Sequence, residues 1–287
     1  MKLSVPGKVF LLGEYAVLTG APAWVTAVAP RFEFLPSESR ARFHPESPAG
    51  KFHAENALMG TFVDPWAGQG GFGGSTAEFA FAAYHSGIRT VGDAWRAYRT
   101  LSAAENPLRR PSGADLVCQW SGGTLEWDPA RETAIDLSDS LQDLPVLIFS
   151  ATHLPNRKTV THTHLQTLAS ASLSFESLVP ALERARRGAR EKNWSEVGRA
   201  FSAYADSLAH LGLETPVVRN ERLALSRRPG VLGVKGCGSL QTDAMLVVVE
   251  SLAARETEDL IAFAESESGL KLLARGLARE PGIRESA

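Results

Sequence analysis

The chain has 287 residues, 44% of them hydrophobic and 22% charged, a composition that argues against disorder and fits one large or two moderate globular domains. A formal net charge of −2 gives no electrostatic footprint for nucleic acid or for an anionic membrane surface. Two cysteines, Cys118 and Cys237, are too few for a disulfide scaffold, and no apolar run nears the ~18 residues of a spanning helix.

The opening MKLSVPGKVFLLGEY reaches Lys8, Gly13 and Glu14 before a long apolar run develops, so it reads as no signal peptide, and a cytoplasmic protein is expected. Residues 2–9 partly alternate and run on into VFLL, a strand pattern, and AWVTAVAPRFEFLP is a second strand joined to the first by AVLTGAP. Residues 68–74, GQGGFGG, hold five glycines in seven positions. They lead into an alanine-rich helix over 75–86, with Ser75 or Thr76 placed to cap it and Gly87 to end it. A helix over 91–104 follows, and PSGADLVCQWSGGTLEW reads as helix, break and strand. The acidic segment 136–144 marks a domain boundary before the apolar strand 145–153. Residues 176–211 show two amphipathic helices broken near 192–195, and GVLGVKGCGSLQTDAMLVVVE reads as strand, loop and strand. The spacing over 252–277 predicts mostly helix, and EPGIRESA a frayed tail.

Glycine inside an ordered element costs about 0.5–1 kcal/mol relative to alanine, so the cluster at 68–74 needs a backbone reason. One reason is a loop whose amides, with the positive end of the next helix, cradle a phosphate; the other is a flexible surface loop. The loop alone leaves both open. It matches neither the Walker A pattern nor a dinucleotide fingerprint, because lysine is absent and the glycine spacing differs. His153, His162 and His164 suggest metal, yet neither cysteine nor a clear carboxylate partner accompanies them. Cys237 reads as a packing residue rather than a nucleophile.

PGKVFLLGEYAVLTGAPA resembles the first motif of the GHMP small-molecule kinases, and GFGGSTA at 71–77 is similar to that family's second motif, GLGSSAA. GVKGCGS at 233–239 resembles the third, and PSGADLVCQWSGG looks like the segment that carries the catalytic aspartate. The resemblance implies an α+β, two-domain GHMP kinase fold. Its N-terminal ribosomal-protein-S5-like domain, with a mixed sheet, would span 1–143, and its C-terminal ferredoxin-like domain, with an antiparallel sheet, 144–287. It implies ATP and Mg²⁺ as cofactors and Asp115 and Lys8 as the catalytic pair. Gly70, Gly71, Gly73, Gly74, Ser75 and Thr76 would hold the triphosphate, with Ser75 and Glu105 on the metal. Glu14, Tyr15, Arg110, Ser112, Gly236, Cys237 and Gly238 would meet a small anionic acceptor. Arg109 and Arg110, or Arg157 and Lys158, would suit its carboxylate or phosphate. GEYAVL and SGAD lean towards phosphomevalonate kinases, whereas Gly74, in place of the first serine, and Glu78, in place of a small residue, depart from the pattern. Serine-rich motifs of the related decarboxylases are not evident, and the alternative is a GHMP kinase with another small acceptor or a silent GHMP-fold binding or regulatory protein. A monomer or homodimer is expected.

Overall fold

Two antiparallel sheets share one apolar core in the computed structural model, which describes residues 2–56, 58–68, 71–102, 111–154 and 174–286. The first sheet is built on β1 (Lys2–Leu12) and β2 (Ala23–Arg40), joined through a short helical turn at Ala16–Thr19. Helix α1 (Pro48–Glu55) and β3 (Met59–Val63) follow, β3 pairing with the distal half of β2. Three helices come next: α2 (Gly74–His85), α3 (Val91–Leu101) and α4 (Ala114–Ser121). The chain then returns as β4 (Thr124–Asp128) against β2, and β5 (Thr133–Asp136) pairs with β4. The expected mixed sheet is antiparallel in every described pairing, including β2 with β4, which the chain reaches only after three helices.

The second sheet has the order β7-β8-β6-β9. It comprises β6 (Val146–Ser150), β7 (Val231–Cys237), β8 (Ala244–Val249) and β9 (Lys271–Arg275). Between β6 and β7 come α5 (Val179–Arg190), α6 (Trp194–His210) and α7 (Pro216–Ser226), and α8 (Arg255–Ser268) precedes β9. The apolar run PVLIF lacks alternation because helices cover both faces of the sheet. Val146 and Ile148 face the main core with α5 and α6, while Leu147 and Phe149 face a second core with α7 and α8.

Two expectations for the C-terminus fail. The helix predicted over 252–277 stops at Ser268, where Gly269 at φ 65° caps α8, and Leu270 turns inward as LKLLAR becomes β9. The tail is not frayed: β10 (Arg284–Ser286) pairs with β1 in the first sheet. Arg31 holds this return by donating to the carbonyls of Pro281 and Gly282 at 2.6 and 2.7 Å. Among the described residues no helix is long and apolar enough to cross a membrane.

Candidate active site

The glycine segment enters through a turn. The Asp64 carboxylate accepts the amides of Trp66 and Gly68 at 2.8 and 2.7 Å, and the Trp66 ring stacks on Phe72 at 3.8 Å and 15°. The Phe72 carbonyl then accepts the Lys8 amide at 3.1 Å, pinning the segment to β1. Gly73, at φ 91°, is the cap residue of α2, so the side-chain cap expected from Ser75 or Thr76 does not form. Both lie inside the first turn, and among the described residues no side chain caps the opening amides of α2. Ser75 is exposed there, and Thr76 is buried with its hydroxyl 2.9 Å from the Gly73 carbonyl. Gly74 has open space on its Cβ side apart from the Phe32 ring at 3.7 Å.

Gln119, fully buried on α4, fastens this arrangement. Its amide nitrogen donates to the carbonyls of Pro6 and Gly73, both at 3.1 Å, and its oxygen meets the Thr76 hydroxyl. The sequence reading missed it. The available signal was a lone amide in the apolar stretch ADLVCQW.

Lys8 and Asp115 come together at 3.2 Å, the lysine side chain 8% exposed and the aspartate 31%. Asp115 lies in the first turn of α4, whose cap is Gly113 at φ 83°, so the carboxylate is free of capping duty and benefits from the helix dipole. Burial alone would lower the Lys8 pKa, but the Asp115 carboxylate and then Asp243 outweigh it, and the net shift is upward. Lys8 therefore stays charged and keeps an anionic partner beside it.

Other predicted positions have partners within the protein. The Glu14 carboxylate forms a buried ion pair with Lys235, which is fully buried on β7 and also donates to the Gly236 carbonyl at 2.6 Å. Tyr204 donates to the Glu14 carbonyl at 2.6 Å. Tyr15 is buried at φ 65° and accepts the Leu240 amide through its hydroxyl at 2.8 Å. Cys237 donates its thiol to the Phe10 carbonyl at 3.1 Å, and burial pushes its pKa up to about 12, consistent with packing rather than nucleophilic work. Gly236 lies against Gln241, where a Cβ would come within 2.6 Å. The Ser112 hydroxyl accepts the Ala114 amide at 3.3 Å, and its carbonyl accepts the Trp127 indole at 2.7 Å. Gly70, Glu105, Arg109, Arg110, Arg157, Lys158, His162 and His164 lie outside the described residues. Among the described residues no three His, Cys, Asp or Glu side chains gather as a metal cluster.

Asp243 was not anticipated. Its side chain fills the space beside Gly71 and Gly238, and burial, with Asp115 adding and Lys8 opposing, pushes its pKa up to about 6. Glu78, one turn into α2, is pushed up to about 7 by burial and by Asp64.

Both sheets, their order and the glycine-led helix define the fold of the GHMP small-molecule kinases, the class represented by mevalonate, phosphomevalonate, galacto- and homoserine kinases. Phosphomevalonate kinase of Streptococcus pneumoniae, solved with phosphomevalonate and AMPPNP, superposes with a TM-score of 0.71 at 14% identity, over 97% of this chain and 100% of that chain. Mevalonate kinase of Methanococcus jannaschii gives 0.69 at 14% identity over 97% and 98%, and the Lin0012 protein of Listeria innocua 0.72 at 15% over the full length of both. No family model and no curated protein sequence matches the chain.

Proposed function

We propose that this protein is an ATP- and Mg²⁺-dependent kinase that phosphorylates a small anionic acceptor of the mevalonate pathway, with 5-phosphomevalonate placed ahead of mevalonate. The observation that carries the reading is the Lys8–Asp115 pair set beside the uncapped start of α2. Phosphoryl transfer is catalysed mainly by positioning and electrostatics, and these two features supply an anion cradle next to a held carboxylate. The acceptor order follows GEYAVL and SGAD, and the ligands named for the pneumococcal structure fit it.

The residues present fit the nucleotide. The first amides of α2 and the positive helix end would receive phosphate oxygens, as the absence of a cap side chain permits. Mg²⁺ would take the exposed Ser75 hydroxyl together with phosphate and water oxygens, and it supplies charge neutralisation on the transferred group. Asp115 orients the acceptor hydroxyl and accepts its proton as the oxygen bonds to phosphorus and ADP leaves. Lys8, kept charged, holds the Asp115 carboxylate in place at 3.2 Å.

Titration of the purified protein with ATP and Mg²⁺ tests the reading at its base: saturable binding supports it, and no detectable nucleotide binding removes it. An acceptor panel of mevalonate, 5-phosphomevalonate, homoserine and galactose then fixes the acceptor.

A further inference from the structure

The loop after β7 brings Asp243 to the place where both glycine segments meet. Its amide donates to the Cys237 carbonyl at 2.9 Å and its carbonyl accepts the Ala151 amide at 3.0 Å, so its backbone is tied to β7 and to the chain leaving β6. The side chain enters the seam between the segments. A Cβ on Gly71 would come within 2.7 Å of Asp243 Cγ, and one on Gly238 within 1.7 Å of Oδ2. Both glycines have φ 85°. The same carboxylate thus excludes a side chain from the second and the third motif, although these are far apart in sequence. The charges that act on it are Lys8 from β1 and Asp115 from α4, with the Tyr15 and Cys237 side chains also within its electrostatic reach; from its own loop the Ser239 amide and the Thr242 side chain reach it.

We infer that Asp243 is a positioning residue of the phosphotransfer site, a wedge that sets the spacing of the two glycine segments and a second carboxylate that keeps the Lys8 ammonium between Asp115 and the phosphate loop. The inference rests on the kinase reading above. A wedge alone would need only the shape, which asparagine has. The chain retains an acid whose burial pushes its pKa up to about 6, so it is charged at neutral pH despite a folding cost that shape does not require. As pH falls through about 6 the carboxyl takes up a proton and its hold on Lys8 lapses.

Wild type, Asp243→Asn and Asp243→Ala are compared by Mg²⁺-ATP titration, by kcat with 5-phosphomevalonate and mevalonate across roughly pH 5 to 8, and by thermal unfolding. The asparagine variant should unfold no earlier than wild type near neutral pH and bind Mg²⁺-ATP within about threefold, yet lose about tenfold or more in kcat together with the acidic limb near pH 6. Alanine, which also removes the wedge, should in addition weaken Mg²⁺-ATP binding by about tenfold. An asparagine variant with wild-type kcat and an unchanged acidic limb would overturn the inference and leave Asp243 a packing residue. A wild-type protein that binds no Mg²⁺-ATP would instead remove the kinase reading on which the inference stands.

Discussion

Two lysine–carboxylate pairs lie along the seam between the sheets, and they differ in exposure. Lys235 and Glu14 are sealed, at 0% and 7% side-chain exposure, while Lys8 and Asp115 are at 8% and 31%. Around the sealed pair the Gly236 carbonyl accepts from Lys235, and the Gln241 amide lies 3.3 Å from Glu14 Oε1. Around the open pair stand the start of α2 and a carboxylate with an accessible face. One chemistry thus has two uses: a pair closed by protein groups ties β7 to the end of β1, and a pair left partly open can act on a ligand. Resemblance alone grouped Glu14 with the acceptor contacts, and the structure engages it with Lys235.

The largest effect on this contrast is expected from Lys235→Met. It leaves Glu14 buried without its cation, and the cost should be about 3–5 kcal/mol, read as a large fall in the unfolding midpoint. A loss below about 1 kcal/mol would show that the pair is solvated and that the two pairs do not differ as described. Next comes Gly73→Ala, where φ 91° disfavours a side chain and the new Cβ would meet Gln119 Nε2 at 2.9 Å and Lys8 Cγ at 3.2 Å. Destabilisation of about 2 kcal/mol is expected, with weakened Mg²⁺-ATP binding beyond what unfolding explains. Binding unchanged in a folded variant would detach the glycine from the site.

Smallest is the effect of Glu78. Its folded pKa is raised from 4.5 to about 7, so its contribution to stability is fully present below about pH 4.5 and lost as pH rises through about 7. Glu78→Gln should therefore stabilise the protein near pH 8 by on the order of 1 kcal/mol, with little change near pH 4.5, as measured by denaturant midpoints at the two pH values. Equal shifts at both would mean that Glu78 is not held protonated by its surroundings.

Local signals carried much of the fold. Strand runs, the glycine-led helix and the break between α5 and α6 were legible because each depends on residues close in sequence. The β9 strand was misread because KLLAR is equally apolar on a helix period, and only pairing with β6 makes it extended. The tail was misread because β10 gains its hydrogen bonds from β1, at the other end of the chain. In the candidate site, Lys8 and Asp115 were named from their motifs, and the structure brings them together at 3.2 Å. Gln119 and Asp243 were not, because their importance lies in what they touch: a carbonyl on β1, a glycine on the loop, a lysine across the seam. The glycines themselves were half understood. Gly73, Gly71 and Gly238 make room for Gln119 and Asp243 of the same chain as well as for the backbone turn, whereas a Cβ on Gly74 would meet only the Phe32 ring, at 3.7 Å.

The most direct test of the open pair as the reacting one is ADP release with ATP, Mg²⁺ and 5-phosphomevalonate or mevalonate, comparing wild type with Asp115→Asn. Acceptor-dependent turnover that falls by about 10²–10⁴ in the variant, with Mg²⁺-ATP affinity and the unfolding midpoint retained, is the predicted result. Acceptor-dependent turnover that survives the substitution would contradict the account and move the chemistry away from Asp115.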